Sequence, residues 1–382
     1  VKLHTLLLAG FLWATQTAAP ATAQSDPAEN ARAAMEALNA AAIKLREVEK
    51  SRDRVAALTE TVQAYETGLA AMREGLRRAT IREASIRGVF EAESDRLAQL
   101  LAVLQRIEAA PEPSLLLHPD GPTGTARSGM ILSDVAPALQ KEALALRSAL
   151  QEVAVLRALQ ESAVGVLEEG LAGAQEARTK LSQAISDRTD LPLRFTANPE
   201  AMQTLITSSE TLEAFASGLM TVELDGVEEV ISAPDFTTVR GSLDMPVLGT
   251  VLRRFDQADA AGIRRPGWVI ATRPKAIVTT PWPATIRYLG PLLDYGNVTV
   301  LEPGEGYLLV LAGLDQLYGQ LGEVLPKGAA VGLMGGAELD SQAILMSSAQ
   351  ASGAERSETL YMELRWNSEP VDPSDWFAAG KE

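Results

Sequence analysis

Cysteine is absent from this 382-residue chain, and histidine occurs twice, at His4 and His118. Without cysteine there is no disulfide framework and no thiolate to act as ligand or nucleophile. A single histidine beyond the first residues leaves an ordinary zinc site without nitrogen or sulfur donors. It also leaves a Ser–His or Cys–His pair without its base. No apolar run reaches the roughly 20 residues that a membrane-crossing helix needs. Positive charge is in deficit: 34 Lys and Arg face 50 Asp and Glu, for a formal charge of −16. A net acidic chain is a poor match for a phosphate backbone, so no nucleic-acid partner is expected. Phosphate loops and dinucleotide fingerprints are missing as well. The carboxylate pairs Asp372 with Asp375 and Glu302 with Glu305 lie near prolines. There, turn and capping roles are expected rather than acid–base work.

What is present begins with a leader pattern. Lys2 precedes an apolar run from Leu6 through Trp13, and Ala21-Thr22-Ala23 offers a small-x-small cleavage site before Gln24. This reads as a signal peptide over 1–23 and implies export to the periplasm, without the cysteine that a lipid anchor requires. From Ala28 to Ala110 there is no proline. Val55, Leu58, Val62, Tyr65, Leu69, Met72 and Leu76 step by alternating threes and fours, and Leu45 and Val48 extend the stripe backwards. The narrow stripe predicts one long helix with a coiled-coil seam. Arg52, Glu66 and Glu83 fall at or near that seam and are expected to weaken it or set its register.

Pro111 and Pro113 stop the pattern, and Pro111–Gly129 holds four prolines and three glycines. Helical spacing resumes at Ser133, read as an N-cap, and runs to about Arg188. Two long amphipathic segments joined by a break predict an antiparallel hairpin over 24–190, with the break at 111–133. The second segment is the shorter, so part of the first must pack elsewhere. Over 191–239 a further helix is expected from Pro199 to Met220, with Asn198 as N-cap. From Arg240 to Glu382 the pattern changes to short β runs: Ala276–Thr279, Ala284–Leu289, Asn297–Leu301, Tyr307–Leu311 and Leu360–Arg365. Ala337–Glu358 is small and polar and reads as a surface loop. The fold class is therefore α+β: a coiled-coil hairpin followed by a mostly antiparallel β domain.

These pieces, in this order, resemble the EnvC-type murein hydrolase activators, whose coiled coil precedes a degenerate LytM/lysostaphin-like peptidase domain. The likeness rests on Pro113–Asp120 and Ala126–Leu132 in the hairpin break. In the last domain it rests on Gly241–Gly249, Pro266–Ile270, Asp294–Val298, Gly304–Tyr307, Leu360–Arg365 and Val371–Pro373. The resemblance implies that the zinc-ligand positions of active peptidases fall on Arg265, Val269 and the pair Thr359 and Tyr361. A further catalytic histidine position falls on Gly313. None carries a ligand, so the family likeness implies a non-enzymatic protein with no metal and no cofactor. It implies a partner groove lined by Tyr295, Val298, Tyr361 and Arg365. The family's groove lysine falls on Pro266 and another groove tyrosine on Leu311; Arg264, Arg265 or Lys275 would replace the lysine charge. Each groove residue has a structural alternative: a turn at Tyr295, a core position at Val298, a surface stack of Tyr361 on Arg365. The implied partners are a periplasmic N-acetylmuramyl-L-alanine amidase, the periplasmic part of FtsX in the FtsE–FtsX transporter, and peptidoglycan. In the family, a helix placed like Pro199–Met220 covers the groove; the alternative is a helix packed on the hairpin base. Two other readings of the whole chain are a structural peptidoglycan-binding protein and a periplasmic adaptor of an efflux pump.

Overall fold

The computed structural model describes residues 27–48, 53–92, isolated positions between 95 and 105, and 121–188. It further describes 192–195, 199–221, 235–304, 306–350 and 357–378. The leader and His118 lie outside the described residues, as do Arg52, Asn198 and Glu305. Three long helices come first: α1 (Pro27–Glu47), α2 (Arg54–Ala92) and α3 (Gly121–Ser186). At 66 residues, α3 spans roughly 100 Å.

The expected seam forms. Leu58, Val62, Tyr65, Leu69, Met72 and Leu76 of α2 are all buried. α3 runs antiparallel to α2: Tyr65 lies on Gly173, Leu69 on Gly170, and Arg82 pairs with Glu152. Glu83 accepts hydrogen bonds from Arg157 and Gln160 of α3, so this polar seam position pins the register. The expectation of one continuous helix from 28 to 110 is not met. The Asp53 carboxylate accepts the Ala56 N–H at 2.9 Å and starts α2 afresh. α1 folds back instead, laying Leu38 against Gly68 and Gly170. Its heptad-spaced Ala34, Leu38, Ala41 and Leu45 are buried there, as is Val48 just past its end. This is where the surplus of the first segment packs, and it makes the base of the hairpin three-stranded. The expected start at Ser133 is also corrected. α3 begins at Gly121, with Pro122 in its first turn where the missing N–H costs nothing. The Ser133 hydroxyl donates to the Met130 carbonyl inside the helix.

The helix expected over Pro199–Met220 is two, α4 (Pro199–Ser208) and α5 (Leu212–Thr221). Ser209 bonds back to Leu205 and closes α4; the Thr211 hydroxyl accepts the Ala214 N–H and opens α5. A ten-stranded antiparallel sheet follows among the described residues. Its strands are β1 (Gly249–Arg253), β2 (Trp268–Thr272), β3 (Ile277–Thr279), β4 (Ala284–Pro291), β5 (Asn297–Gly304), β6 (Tyr307–Leu317), β7 (Val324–Leu325), β8 (Ala330–Met334), β9 (Glu358–Trp366) and β10 (Glu369–Val371). The central order is β1-β2-β9-β6-β5-β4-β7, with β10 on β9 and β8 joining β3 to the end of β6. The five expected strands are present. β1, β2, β7, β8 and β10 carried no clear alternation. The segment read as a loop, Ala337–Glu358, contains a helix, α6 (Ser341–Gln350), capped by Asp340 and anchored by buried Ile344. Ile344, Leu345 and Met346 stand consecutively in an otherwise small, polar helix, so they gave no helical period to read.

The helices are riveted to the sheet by polar contacts. The Glu66 carboxylate accepts the Ile277 N–H at 2.8 Å and Arg178 at 3.3 Å, and Arg178 also holds Glu338 at 2.9 Å. Ser182 meets the Tyr318 hydroxyl, and Arg188 pairs with the fully buried Glu323. Burial pushes the Glu66 carboxyl up to about 7, against the pull of Arg178. A carboxyl with a raised folded-state pKa stabilises the fold when protonated. That contribution is lost as pH rises from the ordinary carboxylate range through about 7. The melting temperature of Glu66→Gln relative to wild type should therefore be higher at pH 8 than at pH 5. A pH-independent difference between the two melting curves would contradict this account.

Candidate partner-binding groove

Strand β9 alternates strictly. Leu360, Met362 and Leu364 enter the apolar core on one side of the sheet, with Trp268, Ile270, Leu309 and Leu311. On the other side stand Tyr361, Glu363 and Arg365, two residues apart on one face as a strand dictates. The Tyr361 hydroxyl donates to Glu363 at 2.6 Å. Arg365 bonds the other Glu363 oxygen through Nη1 and the Ser368 carbonyl through Nη2. All three side chains are nearly sealed: Tyr361 is 7% exposed, Glu363 2% and Arg365 1%. Burial raises the Glu363 carboxyl, while Tyr361 and Arg365 draw it back. Burial and the adjacent Glu363 push the Tyr361 phenol far above its ordinary value, so it stays a neutral donor.

The row continues sideways. The Tyr295 ring lies 5.7 Å from the Tyr361 ring, and the Arg265 guanidinium stands 6.0 Å over Tyr295. Tyr295 closes a short 3-10 turn before Gly296, whose φ of 69° suits glycine. Val298 is buried in the apolar layer beside this row, opposite Ala312. The five residues chosen from the sequence thus occupy one face, with Arg265 at the exposed rim. The surface-stack alternative for Tyr361 and Arg365 does not hold, because both are covered.

The cover is α5. Leu212, Phe215 and Leu219 pack into Tyr288, Leu292, Val298, Val300, Leu308 and Val310. Phe215 meets Tyr288 edge-on with ring centroids 4.7 Å apart. Arg287 donates to the Leu219 carbonyl at 2.8 Å, which satisfies a helix-end acceptor and opposes the dipole. Ser217 and Glu213 of α5 approach Arg365 at 3.5 and 3.9 Å. α4 backs α5 so closely that a Cβ on Gly218 would sit 2.3 Å from Leu205. The helix pair therefore covers the groove face of the sheet, with α5 lying directly on it.

Positions matched to peptidase zinc ligands converge on the same face. Val269 is the cross-strand partner of Tyr361, and Ala271 that of Thr359. A Cβ on Gly313 would lie 2.7 Å from the Thr359 carbonyl, and its φ of 94° marks the bend where β6 leaves β9 for β8. A guanidinium, an isopropyl group, two hydroxyls and a glycine do not fit zinc, which takes imidazole, thiolate or carboxylate. The nearby carboxylate, Glu363, is bonded to Tyr361 and Arg365. Among the described residues, no three His, Cys, Asp or Glu are grouped to hold a metal ion. Leu311, matched to a groove tyrosine, faces the opposite core and cannot line this surface. Of the three candidate cations, Arg264 pairs with Asp256 and Lys275 with Asp315, while Arg265 alone stands over Tyr295. The sequence reading missed Glu363, although counting by twos from Tyr361 to Arg365 passes through it.

No family model matches the chain. A stretch of 155 residues is 28% identical to the uncharacterized protein NMB1333 of Neisseria meningitidis serogroup B, covering 41% of this chain and 23% of that protein. The chain thus spans about a quarter of its relative's length. Similar solved structures include Csd3 of Helicobacter pylori, with TM-score 0.27, 19% identity, and 35% of this chain and 34% of that chain covered. A putative peptidase M23 of Pseudomonas aeruginosa gives TM-score 0.28 and 18% identity over 37% of this chain and 52% of its own. A zinc containing peptidase of Vibrio cholerae gives TM-score 0.27 and 17% identity over 35% and 39%.

Glu363→Ala should leave Arg365 buried without its counter-charge and destabilise the domain by about 3 kcal/mol. Tyr361→Phe removes one hydrogen bond and should cost about 1 kcal/mol. Denaturant unfolding of both variants checks the order; equal losses would show that the Glu363–Arg365 pair is not the anchor of this face.

Proposed function

We propose that this chain is a non-enzymatic, periplasmic activator of a peptidoglycan amidase. Its β domain is a zinc-free LytM-like module whose groove binds the amidase. The α4–α5 pair is an arm that keeps the groove closed, and the long helices engage the periplasmic part of FtsX. One observation carries the reading. The face onto which the peptidase ligand positions map holds a buried Tyr361–Glu363–Arg365 row under an amphipathic helix. A protein surface built to be covered by a helix is a protein-binding surface in the making.

The energetics suit a switch. Burying side chains such as Leu212, Phe215 and Leu219 contributes about 1.5–3 kcal/mol each, against the cost of ordering ten residues. For the arm to switch, its closed and open states must differ by only a few kcal/mol, so that a partner with differential affinity can displace it. Activation follows from binding one conformation of the amidase better than the other.

The test is release of dye from labelled peptidoglycan by a periplasmic N-acetylmuramyl-L-alanine amidase. Wild-type chain should stimulate weakly, and a Phe215→Ser, Leu219→Ser variant should stimulate strongly, with circular dichroism confirming that the sheet remains folded. The chain alone should cut nothing and retain no stoichiometric zinc after dialysis. A folded, arm-released variant that leaves the amidase unchanged would overturn the activator reading. If that variant instead sedimented with peptidoglycan, the wall-binding alternative would take its place.

A further inference from the structure

Arg365 is held on one edge only. Nη1 bonds Glu363 and Nη2 bonds the Ser368 carbonyl, while Nε is buried and donates to nothing. Nε and Nη2 share an edge of the guanidinium, and that edge is the one a carboxylate grips with two parallel bonds. The Nη2 corner of this edge faces the arm, and what the arm offers there is poor. Ser217 Oγ lies 3.5 Å from Nη2, at the limit of a hydrogen bond, and the Glu213 carboxylate lies 3.9 Å away with its side chain 69% exposed. The apolar face of α5 is seated well by comparison: Leu212, Phe215 and Leu219 are buried, and the Leu219 carbonyl is capped at 2.8 Å. The covering helix therefore fills the apolar part of the groove and underuses its cation.

We infer that the segment which replaces α5 carries a carboxylate that takes Nε and Nη2 of Arg365 together. The occupant is an amphipathic helix with apolar side chains spaced as Leu212, Phe215 and Leu219 are, and an acidic residue near the position of Ser217. Glu363 acts as a positioning residue: it fixes Nη1 and so sets the orientation of the guanidinium. This inference rests on the reading of the face as a partner groove and adds the chemistry of the partner. A bidentate carboxylate gains over the arm by satisfying a buried donor that the arm leaves bare. The guanidinium plane would also reject a lysine-bearing or neutral competitor of the same shape.

Synthetic peptides spanning residues 210–222 serve as probes, applied to full-length chain whose own arm is loosened by Phe215→Ser and Leu219→Ser. A peptide carrying Ser217→Asp should bind about tenfold more tightly than one carrying Ser217→Asn, its neutral isostere. In otherwise unaltered chain, Ser217→Asp should slow hydrogen exchange across residues 212–221 relative to Ser217→Asn, a readout that needs no released arm. Equal behaviour of Asp and Asn in both formats overturns the carboxylate inference. If in that case the unmodified peptide still binds and a Phe215→Ala peptide does not, the groove itself stands. If no peptide binds and exchange is alike in both variants, the groove reading falls with it.

Discussion

The buried pair of Glu363 and Arg365 sets the terms for the groove face. Removing two ions from water costs several kcal/mol each, and their mutual attraction offsets this only when the remaining donors and acceptors are met. Tyr361 and the Ser368 carbonyl meet most of them. The rest falls to whatever covers the face, which in this structure is α5. A polar row on an exposed strand would need no cover. A wholly apolar row would hold its cover by area alone. The mixture found here holds the helix firmly through its apolar face at Phe215 and loosely through its polar contacts at Arg365.

The long helices obey a different rule. Their seam is apolar and nearly continuous, so by itself it would tolerate sliding by a heptad. Polar side chains remove that freedom. Glu83 locks α2 to α3 through Arg157 and Gln160, and Glu66 leaves the seam altogether to bond the backbone of β3. Arg178 and Glu338 complete the joint. Thus the acidic residues that interrupt the stripe orient the helices on the sheet. α3 is tied to the β domain by a few directional contacts in addition to an apolar interface. The chain after α3 stays close to the same edge of the sheet, where Arg194 donates to the Gly322 carbonyl and Val324 to that of Pro192. The arm begins only a few residues further on.

Much of this architecture was legible in the amino-acid sequence, for a physical reason: periodicity reports which face of an element is buried. The three–four stripe of α2, the alternation of β4, β5, β6 and β9, and the common face of Tyr361 and Arg365 all follow from local geometry. Three features lay beyond that kind of reading. The return of α1 onto α2 depends on a cap at Asp53 within a stripe that never loses its phase, so the pattern looks continuous while the chain turns. β8 is buried throughout and flanked by glycine, and the large apolar residues of α6, Ile344 to Met346, are consecutive; neither shows a repeating apolar face for a period to reveal. Burial of Arg365 was the third. A strand pattern tells which side a residue faces, but whether that side meets water or a helix from 148 residues earlier is decided by tertiary contact alone.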